Sequence, residues 1–381
     1  MPRAYRGTNV LDEAVSRMAA LYRGGKNRIV VSFSGGKDST VALEVCVIAA
    51  EQEGQLPVEV VARDEEIMFP GTYEFMDRVA NRKDIKFHHL VANQPIINVF
   101  NRRDPYFWVM DPLVDEEDWV RKPPSYAEYI PEKNIEMMTT KAKYPPPDPD
   151  GGTFAVIGLR TDEARNRLYG LFTSGGYLTK MNKHGVRNAR PIYDWKYGDV
   201  WKLIKEFNLD YNKSYDTMLR TGIKNSMLRI GPPTMNAAGI GVLQMSARAW
   251  PRWFDRVAHR LPGVRNGVQF GKRSILPLRR HGESWEECYI RTCIDEAPEW
   301  IAERSLRTMN VYLKRHTNHA TVPFPEVQPC MSCTGSIASW KKLSESLYSG
   351  DPISLKATFL PFIEPEFFRP GSGTWGGKPS F

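Results

Sequence analysis

The sequence predicts an α/β protein, a doubly wound parallel sheet joined to a mostly helical C-terminal region. Three observations predict it. Short apolar runs at residues 29–33, 58–62, 86–91 and 153–158 alternate with stretches of helical spacing, the pattern of a parallel sheet covered by helices on both faces. A glycine pair, Gly35-Gly36, stands between the first run and the helix that follows it. After about residue 230 the strand–helix rhythm stops, and helical patterns near residues 250–260 and 284–314 take over.

The elements follow in order. Leu11, Ala14, Val15, Met18 and Leu21 repeat at helical spacing, and Gly24-Gly25 closes that helix. The strand at 29–33 leads through the glycine turn into a helix whose apolar face includes Cys46. Residues 58–62 form the second strand, and Pro70 sits in the first turn of a helix over 70–80, where its missing N–H costs nothing. The third strand is 86–91, the fourth 153–158, and 161–172 reads as helix. Between the third and fourth strands, residues 93–152 form an aromatic- and proline-rich insertion, and a connection this long carries function or forms a lid. The expected domains are residues 1–230 and 231–381, the second ending in a glycine-rich arm at 369–378.

Composition narrows the functional classes. With 52 Lys and Arg against 44 Asp and Glu, the formal charge of +8 favours anionic partners, either nucleotides or nucleic acid. Five cysteines in 381 residues do not make a disulfide scaffold, which places the chain in a reducing cytoplasm. No run reaches the ~20 apolar residues that span a bilayer, so no membrane association is expected. The first residues lack the apolar core of a signal peptide.

The chemistry concentrates in Ser34-Gly35-Gly36-Lys37-Asp38-Ser39. Two glycines bring bare N–H groups close to a ligand, and the helix start adds unpaired donors and a positive dipole end. Lys37 adds a full charge, and Ser34 and Ser39 add hydroxyls. This is a phosphate cradle, and it is not the Walker loop, which has a different glycine and lysine spacing. Asp38 either binds a metal or braces the loop.

The hexapeptide resembles the pyrophosphate loop of the ATP-pyrophosphatase (PP-loop) superfamily. Three further segments sharpen the likeness to phosphoadenylyl-sulfate reductases: Asp64-Glu65-Glu66-Ile67-Met68-Phe69-Pro70-Gly71-Thr72, Gly158-Leu159-Arg160-Thr161-Asp162-Glu163 with Arg167, and Pro191-Ile192-Tyr193-Asp194-Trp195 with Asp199-Val200-Trp201. Trp108, Asp111-Pro112, the run 119–123 and Ser339-Trp340-Lys341 resemble the IbrA-type co-activator branch. The resemblance implies an adenine nucleotide alpha hydrolase-like, Rossmann-like sheet, with ATP or a related adenine nucleotide on residues 34–39 and Mg²⁺ beside it. Asp64 or Glu65 would hold the ribose, the adenine edge or a metal, or else serve as a helix N-terminal acid. Arg160 and Arg167 would flank a phosphate or sulfate, with Glu163 among the contacts. Lys37, Asp38 and Arg160 would carry the catalysis. The chain lacks the E-C-G-L-H nucleophile motif of the reductases, which argues against sulfate reduction.

Two further clusters invite ligands. Cys288, Cys293, Cys330 and Cys333 fall in the last hundred residues, and could hold Zn²⁺ or an iron–sulfur cluster or be buried thiols. Arg252, Arg256 and Arg260 are four apart on a helix with an apolar opposite face. That stripe faces nucleic acid or solvent.

The reading that results is an ATP pyrophosphatase-like enzyme that adenylates an acceptor and releases pyrophosphate, with sulfur transfer or nucleic-acid modification as its setting. The alternatives are a nucleotide-binding co-activator acting with a ParB-like partner, and a sulfonucleotide reductase.

Overall fold

A computed structural model describes residues 7–225, 228–233, 239–331 and 337–369. Cys333 and most of the expected C-terminal arm lie outside these residues. The chain divides into two compact units. The first comprises residues 1–94 and 109–232, and the second residues 95–108 and 233–381. The expected single insertion at 93–152 is therefore split, its residues 95–108 counting with the second unit.

In the first unit, α1 (Val10–Tyr22) starts at Asn9, whose side-chain oxygen accepts from the N–H groups of Leu11 and Asp12 at 2.9 Å each. Strand β1 (Arg28–Ser32) leads into α2 (Lys37–Gln52), followed by β2 (Val58–Arg63), α3 (Pro70–Ala80) and β3 (Ile85–Ala92). Helix α2 is buried nearly all round, with Val41 to Val47 all inside, as its apolar sequence requires. Cys46 is wholly buried there, and burial pushes its thiol pKa far up.

The second unit contributes β4 (Pro95–Ile97) and β5 (Tyr106–Trp108), an antiparallel ribbon. The chain returns to the first unit through β6 (Glu128–Ile130), α4 (Ile135–Met138), β7 (Thr153–Val156), α5 (Arg165–Thr173), β8 (Val186–Ala189), α6 (Tyr197–Glu206) and α7 (Ser214–Arg220). The helix expected over 161–172 is a short 3-10 turn at Thr161–Glu163 and then α5, broken where Ala164 is extended.

The large sheet is all parallel, in the order β6-β3-β2-β1-β7-β8. This α/β architecture is the one the sequence predicts. Strands β6 and β8 were not legible, because both are short and carry polar residues without alternation.

Glu66 ties the insertion to the sheet. It is wholly buried, and its carboxylate accepts from Met110 N–H at 2.6 Å and Val120 N–H at 3.1 Å.

His88 ties the β6 edge. Its Nδ1 lies 2.7 Å from Glu128 Oε1 and its Nε2 3.3 Å from Glu59 Oε1. The hydrogen bond to Glu59 raises the histidine pKa; burial opposes this, and Glu128 adds to the rise. Burial alone would raise Glu59, but the His88 hydrogen bond and the charges of Arg28 and Lys86 outweigh it and hold the carboxyl at about 2. A raised histidine stabilises fully below its ordinary value of about 6.5 and loses that contribution as pH rises through its folded value. A depressed glutamate stabilises above about 4.3 and loses its contribution as pH falls toward its folded value. The β6 amides should therefore be best protected from hydrogen exchange between about pH 4.3 and about pH 6.5, with His88→Gln removing the loss on the alkaline side. Identical pH profiles in wild type and variant would show that this contact contributes nothing.

The second unit is mostly helical beyond its ribbon: α8 (Ile240–Ala249), α9 (Pro251–Arg260), α10 (Val264–Phe270), α11 (Trp285–Tyr289), α12 (Glu299–His319) and α13 (Trp340–Leu347). The helix expected over 284–314 is interrupted. Residues Ile290–Asp295 wind as π-helix, and α12 starts after Pro298. Its core joins Tyr289, Cys293, Tyr312, Trp340, Leu343 and Leu347.

Candidate functional site

Sheet order fixes where a ligand can sit. From β1 the sheet runs through β2, β3 and β6 on one side, and through β7 and β8 on the other. Connections from β1 and β7 diverge at such a point and open a crevice beyond the strand ends. Residues 34–39 leave β1 there, and residues 157–163 leave β7.

The loop is shaped by two glycines in different ways. Gly35 has φ +69°, a left-handed conformation that side chains disfavour, and a Cβ there would also lie 3.0 Å from Thr72 Cγ2. Gly158 is needed for space, because a Cβ there would meet the backbone of Asp38 at 2.6 Å. Asn212 holds the turn from outside, donating to Gly35 O at 3.0 Å and Thr72 Oγ1 at 2.8 Å.

Ser39 is mainly a brace. Its Oγ accepts from Gly36 N–H at 3.2 Å and Ser34 N–H at 3.3 Å, and donates to Gly36 O at 2.9 Å. Asp38 lies between two cations. Its Oδ1 accepts from Arg160 Nε at 2.5 Å and its Oδ2 from Lys37 Nζ at 2.9 Å.

The cavity in front of the loop has a volume of about 460 Å³. Ser34, Gly36, Lys37, Glu163, Arg167 and Arg229 border it. Glu163 also pairs with Arg167 and, at 3.4 Å, with Arg160 Nη2. Tyr215 closes the floor, its buried hydroxyl accepting from Lys37 N–H at 3.1 Å while burial holds the phenol neutral. Arg167 borders this cavity and Arg160 an adjoining one, so the two arginines do not line a single cavity.

Asp64 and Glu65 separate. Asp64 is wholly buried, and its carboxylate accepts from Glu66 N–H at 2.8 Å, from Arg121 Nη2 at 2.6 Å and lies 2.8 Å from His89 Nε2. Those contacts leave it no face toward a ligand, which corrects its assignment to the nucleotide. Glu65 borders an adjoining, largely apolar cavity of about 230 Å³ with Ser34, Met68, Met138 and Ile230. Glu65 is ion-paired with Arg63 there.

Tyr215 and Arg229 were missed. Each lies far along the chain in a stretch with no phosphate-binding pattern, and the fold alone brings it to the loop.

The other clusters look different in place. Cys288 and Cys293 are buried, and burial pushes both thiols up, Cys293 to about 12. Cys330 packs at the edge of the same core as Cys293. Among the described residues no group of three His, Cys, Asp or Glu side chains converges as a metal site. On α9, Arg252 and Arg256 are exposed, but Arg260 is half-buried and donates to Trp108 O at 2.7 Å, so the stripe is not one continuous open face.

Comparison with known proteins finds partial likenesses. Residues 28–106 match the phosphoadenosine phosphosulfate reductase domain family, a segment that includes the loop and the first three strands. The chain is 24% identical over 367 residues to Uncharacterized protein YbdN of Escherichia coli (strain K12), covering 88% of this chain and 86% of that protein. It is 22% identical over 221 residues to the adenosine 5'-phosphosulfate reductase of Staphylococcus saprophyticus, covering 56% of this chain and 78% of that protein. Among solved structures it is similar to Candida glabrata FMN adenylyltransferase, at 14% identity and a TM-score of 0.34, covering 56% of this chain and 62% of that one. Among the described residues no helix is long and apolar enough to cross a membrane.

Proposed function

We propose that the protein binds ATP or a related adenine nucleotide at residues 34–39, transfers the adenylyl group to an acceptor and releases pyrophosphate. One observation carries the reading. A left-handed glycine turn and the start of α2 lie at the switch point of a parallel sheet, facing a cavity bordered by Lys37, Arg167 and Arg229. The positive end of the α2 dipole and these cations suit the charge that develops on a leaving pyrophosphate. The adjoining apolar cavity beside Glu65 suits the adenosine half.

Mg²⁺ would arrive with the nucleotide. Asp38 and Glu163 are both engaged by cations, which does not fit a metal held by the loop's own carboxylates. The chain's residues bind and orient the phosphates, and exclude water from one side through the buried floor at Tyr215.

Calorimetry should show ATP binding, and any turnover should yield AMP and pyrophosphate. Release of ADP and orthophosphate would overturn adenylyl transfer. Nucleic acid as the acceptor rests on Arg252 and Arg256, and a ParB-like partner rests on the co-activator resemblance alone.

A further inference from the structure

We infer that the site continues into a second compartment that receives the acceptor, and that this acceptor is a small organic anion. The inference rests on the proposed adenylyl transfer and supplies the substrate class that reading leaves open. Beside the loop cavity lies another of about 410 Å³, bordered by Lys37, Arg160, Asp162, Tyr197, Leu228 and Arg229. Lys37, Glu163, Leu228 and Arg229 border both cavities. The two cavities therefore adjoin.

Arg160 supplies the observation that points to a ligand. Its side chain is only 3% exposed. Nε is engaged by Asp38, and Nη2 reaches Glu163. Nη1 is buried and makes no hydrogen bond. The Asp162 carboxylate stands 3.7 Å from it, beyond hydrogen-bond reach. Buried charged donors rarely go unsatisfied, and a side-chain shift of Arg160 toward an oxyanion in the cavity would satisfy this one.

Two features narrow the class. The Tyr197 ring and Leu228 give the cavity an apolar wall, and its volume is in the range of organic-ligand sites rather than of an inorganic anion. Among the described residues bordering either cavity there is no histidine, Asp38 and Glu163 are held in ion pairs, and the Asp162 carboxylate accepts from Tyr197 N–H at 3.3 Å beside Arg160. A site so poor in general bases suits an acceptor that is already ionised. Its anionic oxygen attacks the α-phosphorus and forms the new P–O bond. The bond from the α-phosphorus to the oxygen that bridges it to the β-phosphate breaks, and that oxygen leaves with the electron pair as part of pyrophosphate. No proton has to move.

The test is calorimetry on the full chain saturated with AMPCPP, whose methylene bridge blocks transfer. Benzoate and phenyl phosphate serve as probes and inorganic phosphate as control. At least one organic probe should bind without displacing AMPCPP, and more tightly than inorganic phosphate. Asp162→Asn should tighten it by about threefold, since a like charge is removed. Tyr197→Ala should weaken it by about tenfold, the size of one good contact, with AMPCPP affinity nearly unchanged. Failure of both probes to bind, displacement of AMPCPP, equal binding of inorganic phosphate, or indifference to both substitutions would each overturn the inference while leaving nucleotide binding standing. Failure of AMPCPP itself to bind would overturn the adenylyl-transfer reading, and the inference with it.

Discussion

Gly158→Ala is expected to abolish nucleotide binding and to cost about 3 kcal/mol of stability, the upper end of what overpacking usually costs. The new Cβ would lie 2.6 Å from both the carbonyl carbon and oxygen of Asp38 and 2.7 Å from Ser39 N. All three are backbone atoms in the first turn of α2, so no rotamer change relieves the clash. The start of α2 must move away from the end of β7, and the phosphate-facing loop moves with it. Gly170 in α5 is a control, because a Cβ there would meet nothing within 4 Å. Thermal melts and ATP calorimetry on Gly158→Ala and Gly170→Ala check the contrast. Wild-type affinity in Gly158→Ala would mean that the approach of β7 to α2 does not shape the site.

Asp38→Ala should lower stability by about 3–5 kcal/mol and also remove ATP binding, because it takes the nearest anion from two buried cations. Lys37 and Arg160 have side chains only 7% and 3% exposed, and this carboxylate is the nearest ionic partner of each. The loss is therefore not confined to binding. Adding Arg160→Met to Asp38→Ala should recover part of the stability, since one stranded charge goes, without restoring ATP affinity. Urea unfolding measures the first effect and calorimetry the second. A single variant as stable as wild type would show that the Asp38 bracket is not structural.

The sequence by itself determined the elements whose causes are local. Pro70 opens α3, and the apolar runs at β1 and β2 form strands buried from both faces. The glycine pair marks the one turn where a left-handed residue and an approaching anion are both accommodated. These follow from sterics and hydrogen bonding within a few residues, which any chain with that order repeats.

Tertiary structure alone decided the partnerships. Asp38 and Arg160 are 122 residues apart and meet because β7 inserts beside β1. Asp64 and Glu65 are adjacent and chemically alike, yet one turns inward to Arg121 and His89 and the other toward a cavity, because both lie just past the end of β2, where distant partners rather than strand alternation set each side chain's direction. Tyr215 and Arg229 reach the site through the course of the chain after α6, which no local pattern records. Short polar strands such as β6 and β8 exist only because a neighbouring strand offers them hydrogen bonds, so their own residues carry no sign of it.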